Sequence, residues 1–238
     1  MSSRADRDVV YVVRPGDDNE ELRYSLRSVA ANVPHRRVWV AGHCPRWVTG
    51  VRRVELPPLP DKFDNQYQSL MAALSQPGLA DWFYLFNDDM YVVERFHGDL
   101  PTFNLGPLAG YLDYLGSIGK RPLNGWFRGM REMSRLLEAR GVSDPLCYEG
   151  HVPLLFPKAG LLSAIRARTP HFLPFSYYPL LDLPPGVLAV DAKGGTLGDP
   201  VASGLPFLSS DDDWFGRSSI GDRVRDLFPD PCRYEVGV

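Results

Sequence analysis

Two adjacent carboxylates follow an apolar run near the middle of the chain, in the stretch WFYLFNDDMYVV at residues 82–93. Residues 82–86 are aromatic or large and apolar, which predicts a strand covered on both faces. Asn87, Asp88 and Asp89 then interrupt the apolar run. Carboxylates at the end of a buried strand are costly unless a cation or a hydrogen-bond donor meets them. Because open α/β sheets bind ligands at the carboxyl ends of their strands, this stretch is the first candidate site.

Paired carboxylates suit a hard divalent cation, Mg²⁺ or Mn²⁺, which takes oxygen ligands and can bridge the phosphates of a nucleotide. Such a cation stabilises a departing diphosphate or nucleotide. A second acidic run, Asp211 to Asp213, also follows a short apolar segment. We therefore assign Asp88 and Asp89 to a metal, with Asp211 and Asp212 as further catalytic candidates. The alternative is that Asp88 and Asp89 only open a turn and cap a helix, a common use of aspartate.

A histidine and several polar residues could complete such a site. His151 lies between an extended segment and a proline, in Gly-His-Val-Pro. A lone histidine is usually structural, but beside two acidic runs it is a candidate general base for an acceptor hydroxyl, since its ordinary pKa is about 6.5. Arg14, in a Pro-Gly turn, can pair with phosphate, and a solvated loop arginine is the alternative. The other candidate substrate-binding residues are Asp17, Lys62, Asn65 and Asn87.

Strands and helices alternate in the first part of the chain, which is where most of these residues lie. The predicted elements are a strand at 8–13, a helix at 19–33 that Asp18 or Asn19 can cap, strands at 37–41 and 51–56, and a helix at about 64–75. Each follows from β-branched runs or from apolar residues at helical spacing. Strand, helix and strand in succession favour a parallel sheet.

The second half of the chain gives weaker patterns. It predicts a helix at 129–140, an extended segment at 148–157, a helix at 158–168, a strand at 186–191 and a last helix carrying Ile220, Val224 and Leu227. At 238 residues, we expect one catalytic α/β domain over 1–238, with a helical insertion at 100–147. The predicted fold class is α/β, with a central mostly parallel sheet and flanking helices.

Composition excludes several classes of protein. The formal net charge of -3 provides no broad basic field, so we expect no nucleic-acid partner bound through its phosphates. No apolar run is long enough for a transmembrane segment and no signal-peptide core is present, so a cytoplasmic location is expected. The three cysteines are far apart, which argues against a disulfide framework or a zinc knuckle. Glycine-rich dinucleotide and phosphate-loop motifs and a nucleophile elbow are also absent.

Four segments, taken in order, carry a family resemblance. They are DVVYVVRPGDDNEELRYSLRSV at 8–29, KFDNQYQSLMAALSQPGLADWFYLFNDDMYVV at 62–93, YEGHVPLLFPK at 148–158 and FLSSDDDWFGRSSIGDRVRDLFPDPCRYE at 207–235. Together they resemble the Stealth family of bacterial capsular polysaccharide phosphotransferases, relatives of the eukaryotic N-acetylglucosamine phosphotransferase of lysosomal targeting. The resembling segments leave out mainly 95–147 and 160–205.

The resemblance implies transfer from a nucleotide-activated sugar, expected to be a UDP-sugar, to a hydroxyl of a glycan or protein acceptor. It also implies a fold like that of nucleotide-sugar transferases, that is, GT-A-like. In the phosphotransferase version, the acceptor hydroxyl attacks the β-phosphate and sugar-1-phosphate is transferred. In glycosyl transfer, the attack is at the anomeric carbon, and the motifs leave both open. A non-catalytic glycan-binding or scaffold protein that retains the fold is the alternative function.

Under this resemblance, Asp88 and Asp89 hold the metal or the diphosphate, and Asn65 and Asn87 position them. Arg14 and Lys62 meet phosphate charge, and His151 is the base. Two departures from the family pattern stand out. Residues 13–18 read Val-Arg-Pro-Gly-Asp-Asp, so the usual acidic position is shifted or replaced. The arginine that normally follows His-Val-Pro is missing before residues 174–178, and Arg166, Arg168 and Lys193 are the candidates to replace it.

Overall fold

The structure is a computed structural model that describes residues 6–16, 18–118, 125–193, 204–210, 215–216 and 219–237. Its strands are β1 (Asp8–Val13), β2 (Arg37–Gly42), β3 (Arg52–Glu55), β4 (Trp82–Asn87), β5 (Met90–Val92), β6 (Phe103–Asn104), β7 (Leu154–Pro157), β8 (Val187–Leu188) and β9 (Phe207–Ser209). Its helices are α1 (Glu20–Asn32), α2 (Lys62–Leu74), α3 (Leu108–Ser117), α4 (Gly125–Ala139), α5 (Lys158–Ala164) and α6 (Ser219–Leu227), with a 3₁₀ helix at Pro174–Leu180.

A five-stranded sheet in the order β3-β2-β1-β4-β7 forms the centre of the fold. The pairs among β1, β2, β3 and β4 are parallel, and β7 runs antiparallel to β4. Val10 of β1 lies opposite Trp39 on one side and Leu85 on the other. The predicted α/β class with a mostly parallel central sheet is therefore confirmed. Helical crossovers bring β2 and β4 back parallel to β1, whereas the connection between β2 and β3 contains no helix.

Two helices cover the sheet near the candidate site. α1 packs against β5, and α2 packs against β1 and β2. Leu22, Leu26 and Val29 of α1 are fully buried, as their spacing predicts. The α2 helix begins at Lys62, ahead of the predicted start at 64, because the Asp61 side chain accepts from the backbone N–H groups of the first turn.

The helices of the second half differ in length from the prediction. α4 begins at Gly125 and α5 ends at Ala164, short of the predicted residue 168. The segment after α5 bonds elsewhere: the Tyr177 hydroxyl donates to the carbonyl of Ala167 and accepts from the N–H of Thr169. Residues 100–147 contain α3 and α4 among their described parts. No helix of the described residues has the length and apolar character needed to cross a membrane.

A buried carboxylate joins β1 to its neighbours at the amino end of the sheet. Asp8 is fully buried and accepts from the Arg36 guanidinium at 2.8 and 2.9 Å. It also accepts from the Trp39 indole N–H at 2.8 Å and from the backbone N–H of Ala80 at 2.9 Å. Because both of its oxygens are bonded, Asp8 fixes the starts of β1 and β2 and the chain entering β4 without needing a ligand.

The end of the chain is held against α1 by a buried ion pair. Glu235 accepts from Arg27 Nε at 2.7 Å and Nη2 at 2.9 Å, and from Arg23 Nη1 at 2.9 Å. Arg27 also donates to the carbonyls of Phe228 and Pro229, which follow α6. Burial alone would raise the pKa of Glu235, but the arginine hydrogen bonds outweigh it and lower the pKa to about 2.

Removing this carboxylate is predicted to destabilise the fold. We expect Glu235→Gln to lower the free energy of unfolding by about 3 kcal/mol, because Arg27 loses the charge that compensates its burial. Since the pKa of Glu235 is lowered on folding, the stabilisation is present at neutral pH. It is lost as the pH falls from the ordinary glutamate value toward 2. Urea unfolding of both proteins at several pH values measures the difference.

The exposed pair between Arg225 and Glu20 provides the matched control. Glu20→Gln should change the free energy of unfolding by less than about 1 kcal/mol, because solvent screens that pair. Equal losses from Glu235→Gln and Glu20→Gln would contradict the importance of the buried pair. So would a Glu235→Gln effect that stays constant down to low pH.

Candidate active site

A cleft with a volume of about 680 Å³ lies at the carboxyl ends of β1 and β4. Its walls come from the turn after β1, the start of α2, the turn after β4, the start of α4 and the segment before β7. The predicted site residues that line it are Arg14, Lys62, Asn65, Asn87, Asp88, Asp89 and His151. Asp17, Asp211 and Asp212 lie outside the described residues. The structure thus brings together side chains from three of the four resembling segments, while their roles remain predictions.

Asp88 and Asp89 form the tight turn between β4 and β5. They do open a turn, as the alternative interpretation held, but the turn leads into a strand and not into a helix. Asp88 is 8% exposed, and its Oδ2 accepts from the Asn19 amide at 2.7 Å. Burial, together with the neighbouring charge of Asp89, raises the pKa of Asp88 to about 6. The turn therefore concentrates negative charge in a place with little water.

Asn19 connects this turn to α1. Its Oδ1 accepts from the N–H of Leu22 at 2.9 Å and caps the helix, while its Nδ2 donates to Asp88. Its backbone is left-handed, with a φ of 42°, a conformation that asparagine tolerates better than most residues. The sequence identifies Asn19 only as a cap, because a contact with Asp88 is not visible in local spacing.

Asp89 has one paired and one unpaired oxygen. Its Oδ2 lies 3.2 Å from the Lys193 ammonium. Its Oδ1 is buried and has no hydrogen-bond partner in the described part of the chain. The carbonyl of Asp89 accepts from the N–H of Ser210 at 3.2 Å, which brings the end of β9 beside the turn. A buried carboxylate oxygen without a partner is the kind of group that a cation or a donor satisfies.

His151 is held by a carboxylate that the sequence analysis did not select. Its Nδ1 donates to Asp191 at 2.8 Å, and Asp191 also accepts from the Tyr111 hydroxyl at 3.1 Å. Burial alone would lower the pKa of His151, but Asp191 outweighs it and the pKa is raised. His151 has a φ of 52°, a strained conformation of the kind found at functional sites. With Nδ1 bonded, Nε2 is the nitrogen that can meet a substrate.

Glu149 and Lys193 complete the inner wall of the cleft, and Asp191 lies behind His151. Asp191 ends the strand predicted at 186–191, the same signal that identified Asp88, but the structure limits that strand to Val187–Leu188. The distance in sequence between Asp191 and His151 hides their pairing. Glu149 is buried and lines the cleft two positions before His151. Of the three candidates to replace the missing arginine, Lys193 lies in the cleft. Arg168 instead pairs with Asp64, outside the cleft lining.

Three of the predicted substrate-binding residues have contacts of their own. The Asn65 amide bonds to the backbone of Leu59 and Asp61, which fixes the turn before α2. The Lys62 ammonium lies 4.9 Å from the centre of the Phe63 ring. Arg14 lies 3.8 Å from the buried Glu21 carboxylate and keeps more than half of its side chain exposed. Lys62 and Arg14 therefore hold positive charge at the rim, whereas Asn65 has mainly a local structural task.

The turn after β4 offers carboxylate oxygens of the kind that a hard divalent cation takes as ligands. Asp88 and Asp89 offer adjacent carboxylate oxygens, and the buried Oδ1 of Asp89 lacks a partner among the described residues. The described residues contain no group of three or more histidine, cysteine, aspartate or glutamate side chains arranged to hold a metal. The Lys193 ammonium already neutralises part of the charge of Asp89. The fit therefore rests on these two carboxylates.

Comparison with known proteins finds structural similarity over part of the chain. No family model matches the chain, and no curated protein matches it. The galactosyltransferase LgtC, solved with donor and acceptor sugar analogues, is similar over 61% of this chain and 72% of that chain, at 15% identity and a TM-score of 0.32. The apo-form glycosyltransferase GlyE of Streptococcus pneumoniae TIGR4 is similar over 56% of this chain and 39% of that chain, at 12% identity and a TM-score of 0.27. Structural similarity at this level identifies neither a donor nor an acceptor.

Replacing Asp191 is predicted to lower the pKa of His151. In Asp191→Asn the carboxylate charge that opposes the effect of burial is gone, so the imidazole should lose its proton at a lower pH than in the wild type. A pH titration of the histidine ring signals by NMR measures this, with His151→Gln identifying the signal. An unchanged or higher pKa in Asp191→Asn would mean that Asp191 does not set the protonation of His151.

Proposed function

We propose that the protein is a transferase that uses a nucleotide sugar, expected to be a UDP-sugar, and moves the sugar or sugar-1-phosphate to an acceptor hydroxyl. The observation that carries the proposal is that an acidic pair and a histidine bonded to a carboxylate meet in one cleft. Asp88 and Asp89 form the acidic pair at the end of β4, and His151 with Asp191 forms a base and its orienting carboxylate. Cationic side chains lie beside both pairs.

The cationic side chains suit the diphosphate of the donor. Arg14, Lys62 and Lys193 line the cleft, and charge-assisted hydrogen bonds from such groups are the strong contacts to phosphate oxygens. Lys193 takes the position of the missing family arginine in this proposal. Its ammonium lies 3.2 Å from Asp89 and in this proposal bonds a phosphate oxygen of the donor. A lysine is a point charge and cannot give the bidentate contact of an arginine.

The acidic turn would hold Mg²⁺ or Mn²⁺ through Asp88 and Asp89. A divalent cation bound there supplies charge neutralisation for the phosphates and for the departing nucleotide. Asn19 holds the carboxylate of Asp88 in place from the start of α1. Asn87, the last residue of β4, lines the same part of the cleft.

His151 acts as the base in this proposal. The acceptor hydroxyl gives its proton to Nε2 while its oxygen forms a bond to the donor, and Asp191 stabilises the resulting imidazolium through Nδ1. Attack at the β-phosphorus breaks the bond to the nucleotide and releases UMP. Attack at the anomeric carbon breaks the bond from sugar to phosphate and releases UDP. Both routes use the same base and the same cationic wall.

The Stealth family is our proposed assignment for the chain. Supporting it, three of the four resembling segments supply cleft residues: Arg14 from the first, Asp88 and Asp89 from the second, and His151 from the third. The fourth includes β9, whose end bonds to the carbonyl of Asp89. A random scatter of sequence likeness would not be expected to converge on one cleft.

Donor binding is the first test. We expect UDP with Mn²⁺ to bind the wild type in a calorimetric titration, and Asp88→Asn or Asp89→Asn to weaken binding by at least about tenfold, because each removes a charged oxygen ligand. Lys193→Met should also weaken UDP binding, since a phosphate oxygen would lose a cationic partner. The exposed Asp226→Asn on α6 is the control and should bind UDP like the wild type. Absence of UDP binding, or equal affinity in all variants, would refute the donor site.

Turnover of nucleotide sugars is the second test. We expect the protein to release UMP or UDP from one member of a UDP-sugar panel, with UMP indicating sugar-phosphate transfer and UDP indicating glycosyl transfer. His151→Gln should reduce kcat by about 10² or more while leaving UDP affinity unchanged, because it removes the base and not the donor site. UDP binding without any turnover across the panel would favour the alternative, a glycan-binding protein that retains the fold.

A further inference from the structure

Glu149 is a buried carboxylate in the cleft wall that the proposed chemistry does not use. It is 7% exposed, and its Oε1 accepts from the Ser176 hydroxyl at 2.7 Å. The Trp126 side chain lies beside Glu149 and opposes the effect of burial on the pKa of Glu149. Burial raises the pKa of Glu149, and the Ser176 hydrogen bond offsets only part of that. A carboxylate has room for about four hydrogen bonds, so Glu149 can accept from a ligand as well.

The charge of Glu149 makes its part of the cleft unfavourable for phosphate. A phosphate placed against this carboxylate would be repelled, since both carry negative charge in a site with little water. The diphosphate is therefore expected at the end formed by Arg14, Lys62 and Lys193. Glu149 then faces a neutral part of the substrate, and neutral donors such as hydroxyl groups suit it, as the Ser176 hydroxyl already shows.

An aromatic wall lies next to Glu149. Trp126, in the first turn of α4, has its ring centre 6.2 Å from that of His151, with the two planes inclined by 31°. Trp126, Phe63 and Phe175 all line the cleft. Aromatic side chains offer a broad apolar surface with a polar edge, which suits a ligand that is apolar on one face and polar at its rim. A sugar ring, with its CH groups and its hydroxyls, has that character.

We propose that Glu149 and Trp126 form an acceptor subsite for a pyranose ring. Trp126 packs against the CH face of the ring, and Glu149 accepts from one ring hydroxyl while His151 receives the proton of another. A serine or threonine side chain has a single hydroxyl, so it cannot donate to Glu149 and give its proton to His151 from two separate hydroxyls. The subsite rests on the proposed function and narrows its acceptor to a glycan.

Saturation-transfer NMR tests the subsite directly. The probes are methyl pyranosides of glucose, galactose, mannose and N-acetylglucosamine, with a serine-containing peptide as the rival, each measured with and without UDP and Mg²⁺. We expect at least one pyranoside to bind through its ring CH protons. Glu149→Gln and Trp126→Leu should each weaken that binding by at least about tenfold, the effect of losing a charged hydrogen bond or an aromatic contact.

Deoxy ligands identify the ring hydroxyl that donates a hydrogen bond to Glu149. Deoxy forms of the pyranoside that binds each lack one hydroxyl. One of them should bind the wild type more weakly than the parent sugar does, whereas Glu149→Gln should bind that deoxy form and the parent sugar equally. The reason is that the deoxy sugar and the variant remove the same hydrogen bond. Glu138→Gln is the matched control, since the exposed Glu138 carboxylate on α4 also accepts from a serine, Ser134, at 3.2 Å. It should bind the pyranoside like the wild type.

The possible outcomes separate the subsite from the donor site. UDP binding with no pyranoside binding overturns the subsite alone, as does pyranoside binding that Glu149→Gln and Trp126→Leu leave unchanged. Peptide binding that depends on Glu149 overturns it in favour of a protein acceptor. Pyranoside binding that needs Glu149, in a protein that does not bind UDP, supports the subsite and refutes the donor assignment.

Discussion

The pair of carboxylates buried in the turn after β4 is the constraint on which the rest of the site depends. Two negative charges on adjacent residues, one of them in a side chain only 8% exposed, are unfavourable without nearby donors or cations. The structure provides Asn19 for Asp88 and Lys193 for Asp89. These partners come from far apart in the chain, so the turn is stabilised by contacts with both α1 and the 191–193 segment.

A second buried aspartate shows what a purely structural carboxylate looks like in this fold. Asp8, at the amino end of the sheet, has donors on both oxygens, from Arg36, Trp39 and the backbone of Ala80. Asp89, at the carboxyl end, keeps a buried oxygen without a partner among the described residues. Both ends of the same sheet thus bury charge, but among the described residues it is the aspartate at the carboxyl end that keeps an unsatisfied oxygen. That contrast favours a functional interpretation of the turn after β4.

The sequence predicts those parts of the fold that local periodicity determines. β1, β2, β4 and α1 appear close to their predicted positions, because burial on both faces of a strand and one face of a helix produces regular apolar patterns. The end of α5 is less predictable, since the backbone groups of Ala167 and Thr169 hydrogen-bond to the Tyr177 hydroxyl and do not continue the helix. A hydrogen bond of that kind depends on tertiary contact and leaves no local signal.

The same distinction applies to the candidate site. Asp88, Asp89 and His151 could be selected because their types and flanking residues are unusual, whereas Asp191 and Glu149 acquire meaning only from their neighbours in space. Asn19 is an example of both cases. Its role as a helix cap can be predicted from the sequence, whereas its hydrogen bond to Asp88 is visible only in the structure.

The short segment 191–193 links the two halves of the site. Asp191 holds His151, and Lys193 pairs with Asp89. The segment is itself fixed: the N–H of Lys193 donates to Asp191, the N–H of Ala192 donates to the carbonyl of Gly150, and the carbonyl of Ala192 accepts from Ser209. Because Asp191 and Lys193 are only two residues apart on a segment whose backbone is held at Gly150 and Ser209, the partner of His151 and the partner of Asp89 are positioned together. Under the proposed function, a donor phosphate that binds Lys193 would act on the same segment that orients His151.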